Sequence, residues 1–85
     1  MESVIITVRL DSSAQYDMEV SPNIPCGELV LQIVDAIRAK DFDVAKSIGA
    51  VPYLSSKGRR LANDATLGGL GLWDGSILIL ESDNP

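Results

Sequence analysis

The chain has 85 residues, 46% of them hydrophobic, which is enough apolar mass for one core and too little length for a second. Its formal charge of −5 and sequence pI of about 4.4 argue against nucleic acid as a partner. The lone Cys26 excludes an internal disulfide framework and a thiolate zinc site, and the lack of histidine removes the commonest general base and metal ligand together.

No basic segment of the signal-peptide kind opens the chain, and its longest apolar run is far short of the roughly 20 residues a membrane span needs. A soluble domain without direct membrane insertion is expected, and its free cysteine fits a reducing compartment such as the cytoplasm.

Residues 3–10, SVIITVRL, are rich in β-branched types and predict a strand. Val4, Ile6, Val8 and Leu10 fall on one face of it, Ile5, Thr7 and Arg9 on the other. The polar cluster Asp11-Ser12-Ser13-Ala14-Gln15 predicts a turn. A second strand follows, with Tyr16, Met18 and Val20 on one side and Asp17 and Glu19 on the other. The two strands make a hairpin with one wet face.

The break SPNIP at residues 21–25 ends the strand, and Pro25 suits the start of a helix. From Cys26 to about Lys40 the period becomes helical. Cys26, Leu29, Val30, Ile33 and Ile37 share a face, with Glu28, Gln32, Asp35 and Arg38 opposite. Leu31 falls on the polar side and is expected to be partly covered. Residues 40–50, KDFDVAKSIGA, are open to three readings, an extension of the helix, a second short helix or a loop, of which a loop with one helical turn is preferred.

A short strand, VPYLSS, is expected at residues 51–56, with Pro52 at its start or at an unpaired edge. Gly58 supplies a tight turn into a brief strand. NDATLGGLGL is a turn-rich connection with room for a short 3₁₀ turn around Leu67 to Leu70. Asp74-Gly75 is a turn signal, and SILILE, residues 76–81, is the last strand. Here Ile77 and Ile79 are assigned to the core, which turns Leu78 and Leu80 outward. The order β-β-α-β-β-β has its most apolar strands at the two ends. Strands flanked on both sides are the more continuously apolar ones, so these two are expected side by side and parallel in the centre of the sheet.

The opening hairpin, the EVSP that leads into the helix, and KGRRLANDATLGGLGLWDGSILIL together resemble the ubiquitin-like β-grasp superfamily over nearly the whole chain. Leu61, Thr66, Leu67, Gly71, Leu72, Asp74, Gly75, Leu78 and Leu80 occupy the superfamily's closing pattern. The helix entrance NIPCGELVLQIVDAI is similar to the YukD/EsaB group and to the ubiquitin-like domain of EccD, both components of bacterial type VII secretion systems. The resemblance implies an α+β fold, a mixed sheet of four to five strands with one main helix on one face, with residues 1–85 as a single ubiquitin-like domain. It implies no enzyme, cofactor or metal, and a protein partner such as a component of the secretion machinery.

Ubiquitin-type tags and the related sulfur carriers close on a flexible Gly-Gly tail, because the terminal carboxylate is adenylated in a channel that side chains would block. This chain reads ESDNP there, and its one Gly-Gly, Gly68-Gly69, precedes the last strand. A non-enzymatic adaptor that docks without conjugation is therefore expected. The other readings are a regulatory domain of a larger, membrane-bound protein, and a modifier or sulfur carrier.

For docking, the central apolar position of ubiquitin's outer-face patch falls on Ser55, so that patch is not reproduced. Leu78 and Leu80, with Tyr53 or Ser55 beside them, are the expected apolar feature; scattered surface leucines are the plainer account. Burying both leucines is worth roughly 3 to 6 kcal/mol against an association cost of about 4 to 15 kcal/mol, so they contribute to an interface without creating one. Lys57, Arg59 and Arg60 read either as a handle for an acidic partner or as a solvated turn balancing nearby carboxylates. Trp73 either caps the core edge or is exposed for contact. Cys26 lies near a helix start, where a thiol pKa can fall, but it also sits on the buried face without a histidine, so packing is its expected role. Asp41 and Asp43 read as solvated charges. Self-association through an exposed strand face is compatible with the pattern.

Overall fold

A computed structural model describes residues 2–10 and 13–83. The turn residues Asp11 and Ser12 and the tail residues Asn84 and Pro85 singled out above lie outside the described residues. Strands β1 (Val4–Leu10) and β2 (Gln15–Val20) pair antiparallel, and every second residue of β1, from Val4 to Leu10, is buried. The hairpin closes where the Leu10 N–H donates to the Ala14 carbonyl at 2.9 Å and Ser13 takes a φ of 70°.

Helix α1 (Cys26–Lys40) starts from Pro25 with no side-chain cap. Its free amides are met from outside, since the N–H groups of Cys26 and Gly27 donate to the carbonyls of Ala65 (2.7 Å) and Asn63 (3.0 Å). Gly27 permits this approach, because a Cβ there would stand 3.2 Å from that of Asn63. Residues 42–46 form a second short helix, α2 (Phe42–Lys46), one of the three readings open for this segment, capped by the Asp41 carboxylate, which accepts from the Val44 N–H at 3.3 Å. Asp41 thus has a structural task. Asp43 faces Lys46 at 4.0 Å on the surface.

Strands β3 (Val51–Ser56), β4 (Arg59–Arg60) and β5 (Ile77–Asp83) complete one mixed sheet in the order β2-β1-β5-β3-β4. The first and last strands run parallel at its centre, as the sequence pattern requires. Pro52 causes no break because β4 pairs only with Ser55 and Ser56, leaving the Pro52 side of β3 open. Between β4 and β5, the N–H of Gly68 donates to the Pro22 carbonyl at 2.9 Å and the N–H of Leu70 to the Leu67 carbonyl at 3.2 Å, so the Gly-Gly pair is held in a closed loop.

The core lies between α1 and one face of the sheet. Cys26, Leu29, Val30, Ile33 and Ile37 meet Val4, Ile6, Val8, Leu54, Leu67, Leu78 and Leu80. The expected orientation of the last strand is therefore reversed. Leu78 and Leu80 are buried, and Ile77 and Ile79 point outward, with Ile77 48% exposed. The cause is register. Val8 stands beside Leu78 and Leu10 beside Leu80, so the leucines share the buried face of β1. Since ILIL is apolar on both alternations, its own pattern cannot choose a face, and a one-residue shift exchanges them all. The strand also runs on to Asp83, so Glu81 and Asp83 are ladder residues. Leu31 is 61% exposed, more open than expected, because it stands away from the face α1 turns to the sheet.

Candidate docking surface

The outer face of the sheet is built from the residues that alternate with the core. Antiparallel pairing sets Tyr53 beside Glu81 and Ser55 beside Ile79 and Arg60, and parallel pairing sets Thr7 beside Ile77 and Arg9 beside Ile79. Its polar side chains are occupied with one another. The Thr7 hydroxyl donates to Asp17 at 2.7 Å, Arg9 Nε to Gln15 at 3.3 Å and the Ser55 hydroxyl to Glu81 at 2.8 Å. The Arg60 guanidinium donates to Asp83 at 2.9 Å and lies 4.1 Å from the Tyr53 ring centroid. Tyr53, Ser55 and Arg60 do come together, but as a cross-strand network that buries Ser55. An exposed pair such as Arg60–Asp83 is worth at most about 1 kcal/mol. Leu78 and Leu80 drop out of the surface altogether.

Lys57 and Arg59 part from Arg60. Ser56 pairs with Arg59, so Lys57 and Gly58 form a two-residue loop, both at positive φ (53° and 81°). This is the left-handed pair required by a type I′ turn, whose twist matches that of the strands. The turn projects Lys57 and Arg59 from the end of the sheet, where neither makes an ion pair among the described residues.

Beside this tip lies the segment 70–77. Asp74 Oδ1 accepts the Ile5 N–H at 2.7 Å, and the Gly75 N–H donates to the Ile5 carbonyl at 2.9 Å, which fixes the turn against the start of β1. Ile5, Leu70, Trp73 and Ile77, four of the seven large hydrophobic residues exposed among those described, belong to this turn and its immediate neighbours. Trp73 answers to both readings made of it. Its ring edge rests 3.7 Å from where a Cβ on Gly68 would stand, yet the residue is 49% exposed.

An open hollow of about 630 Å³ lies between the Lys57-Gly58 tip and this segment, floored by Leu72, Ile77 and Ile79. A smaller one of about 340 Å³ adjoins it, sharing Ser56, Lys57 and Leu72 and adding Arg59, Leu61 and Leu70. Ile77, Ile79, Leu70 and Leu72 were missed as surface residues. Leu70 and Leu72 carry a sequence signal, the alternation of leucine with glycine in GGLGL, and an added Cβ at Gly71 between them would meet nothing within 4 Å; Ile77 and Ile79 carry none, since ILIL is apolar on both alternations.

The reactive groups are placed otherwise. Cys26 is buried, and burial pushes its thiol pKa up, the opposite of nucleophilic activation. No cluster of three or more metal-ligating side chains occurs among the described residues. No helix is long and apolar enough to cross a membrane.

The family model described as "WXG100 protein secretion system (Wss), protein YukD" matches residues 3–80. No curated protein matches. Among solved structures, the EccD5 ubiquitin-like domain from Mycobacterium xenopi superposes with a TM-score of 0.83 at 11% identity, covering 100% of this chain and 99% of that one. A ubiquitin from Caldiarchaeum subterraneum gives a TM-score of 0.74 at 22% identity over 99% of this chain and 98% of that one. A chain of the MycP5-free ESX-5 inner membrane complex gives 0.81 at 15% identity, covering 100% of this chain but 22% of that one. At these identities the structures share the ubiquitin-like fold.

Proposed function

We propose that this chain, which belongs to the YukD family of the WXG100 protein secretion system, is a non-enzymatic adaptor that docks on a component of a type VII secretion machine from the cytoplasmic side. One observation supports docking over covalent transfer: Cys26 and the internal Gly68-Gly69 pair are both tied into the fold. The Cys26 thiol is buried with a raised pKa, and Gly68-Gly69 is held by Pro22 ahead of the central strand β5. What remains outside is a surface of apolar side chains and of two cations, Lys57 and Arg59, that make no ion pair among the described residues. The likeness to the EccD5 domain and to part of an ESX-5 inner membrane complex chain supports a partner within such machinery.

The test is to express the tagged chain in a bacterium that carries a type VII system, purify it without cross-linking, and identify what co-purifies before and after denaturation. Secretion components recovered only under native conditions, with the intact mass of the chain unchanged, is the expected result. A covalent adduct, or recovery of no secretion component, would overturn the proposal.

A second reading, a regulatory domain within a larger protein, draws on the same ESX-5 likeness, where the matching region is 22% of its chain. Its test is the mass of the polypeptide detected in the native cell, and a product near 9.1 kDa removes it.

A further inference from the structure

We propose that the double hollow between the Lys57-Gly58 tip and the segment 70–77 receives a short acidic–apolar stretch of a partner polypeptide, which rests on the docking reading above and gives it a site. The apolar half of the argument is the floor. Leu70, Leu72, Ile77 and Ile79 face the cavity from two separate segments, and Ile77 and Leu70 are about half exposed. The space exists because glycines stand at Gly58, Gly71 and Gly75, all at positive φ (81°, 74° and 85°), where an added Cβ would meet nothing within 4 Å. Left-handed backbone favours glycine, so the turn geometry keeps the hollow open.

The charged half is complementarity. The protein carries a net charge of −5, and Arg38, Lys46 and Arg60 are each paired with a carboxylate. Among the described residues Lys57 and Arg59 have no such partner, and both line the smaller hollow, whose described lining holds no carboxylate. In the larger hollow the one carboxylate, Asp74, is engaged by the Ile5 N–H. An acidic residue of a ligand would thus meet two free cations just where its apolar neighbours meet the leucines. A densely anionic surface, such as a nucleic acid or an acidic bilayer, would be repelled by the rest of the molecule. A peptide presents few charges and suits the size of the site.

The probe is a blocked ten-residue peptide of alternating Asp and Leu, titrated into ¹⁵N-labelled protein, with Lys/Leu and Asp/Ser peptides and phosphatidylserine vesicles as comparisons. The Asp/Leu peptide is expected to shift the amides of residues 56–61 and 70–77. Lys57→Asn with Arg59→Gln should weaken it roughly five- to tenfold and flatten its salt dependence, whereas Lys40→Gln, at an exposed cation on α1 away from the hollow, should leave it unchanged. The Asn at position 57 tolerates the left-handed turn, so the double variant keeps its fold. Absence of binding, shifts elsewhere, equal binding of the Lys/Leu peptide, preferential binding of vesicles, or an unaffected double variant would each overturn the site. Co-purification separates the two claims. If the double variant still recovers secretion components as the wild type does, the site is wrong and the adaptor stands. If the wild type recovers none, the adaptor reading is the one that fails.

Discussion

Leu78 and Ile77 are adjacent, equally apolar and of equal size, yet the first is fully buried under α1 and the second is half exposed on the outer face. Truncating Leu78 to Ala leaves a cavity beside Val8, and the expected loss is about 2 to 5 kcal/mol. Ile77→Ala is expected to cost about 1 kcal/mol or less, since its side chain opens on the hollow. Urea unfolding of the two variants decides the register, and equal losses would contradict it. Cys26 permits a second test at this scale. Its thiol pKa in the fold lies above the ordinary value, so the unfolded chain releases this proton first as pH rises. The thiol's contribution to stability is therefore constant below about pH 8.5 and declines above it, towards the raised folded value. Against Cys26→Ala, which cannot titrate, the wild type should lose more stability between pH 8 and pH 10. Parallel slopes in paired denaturant titrations would refute this. The buried place of Cys26 was legible because it shares a helical spacing with Leu29, Val30, Ile33 and Ile37. That of Leu78 was not, because both of its neighbours are isoleucine.

At the scale of elements, legibility follows how unequal the two faces of a segment are. The first hairpin alternates apolar with polar, and α1 has one apolar stripe, so each fixes its own orientation. In β5 both alternations are apolar, and only pairing with β1 in space sorts them. The cluster Lys57, Arg59 and Arg60 shows the same limit. Nearness in sequence suggested one patch, whereas the turn between β3 and β4 sends Arg60 back over Tyr53 and leaves the other two at the tip. That turn makes a prediction of its own. Lys57 holds a φ of 53° that Asn adopts more readily, so Lys57→Asn should stabilise the protein by up to about 1 kcal/mol. Gly58→Ala should destabilise it by about 1 to 2 kcal/mol for a purely conformational reason, since no neighbour lies within 4 Å of the added Cβ. Thermal unfolding of both variants is the measurement, and opposite signs are the expected outcome.

For the whole molecule, the decisive feature is that the sheet is closed by its chain ends. Val8 and Leu78 are neighbours in a parallel ladder although nearly the whole sequence separates them, and β5 is the strand that joins the hairpin β1–β2 to the hairpin β3–β4. Without β5 the sheet falls into two pairs, and α1 keeps only part of its floor. Leu78 and Leu80 together contribute roughly 3 to 6 kcal/mol of burial, a large share of the 4 to 13 kcal/mol or so expected for a chain of this length. A chain ending at Ser76 is therefore expected to show no cooperative unfolding transition in urea and no fixed near-ultraviolet signal from Trp73. This bears on function as well as on folding. A modifier released by cleavage after Gly69 would lack the same strand, so a truncated chain that unfolds leaves no folded tag to attach. A cooperative transition in that chain would instead show that the remaining strands suffice, and would reopen Gly68-Gly69 as a processing point.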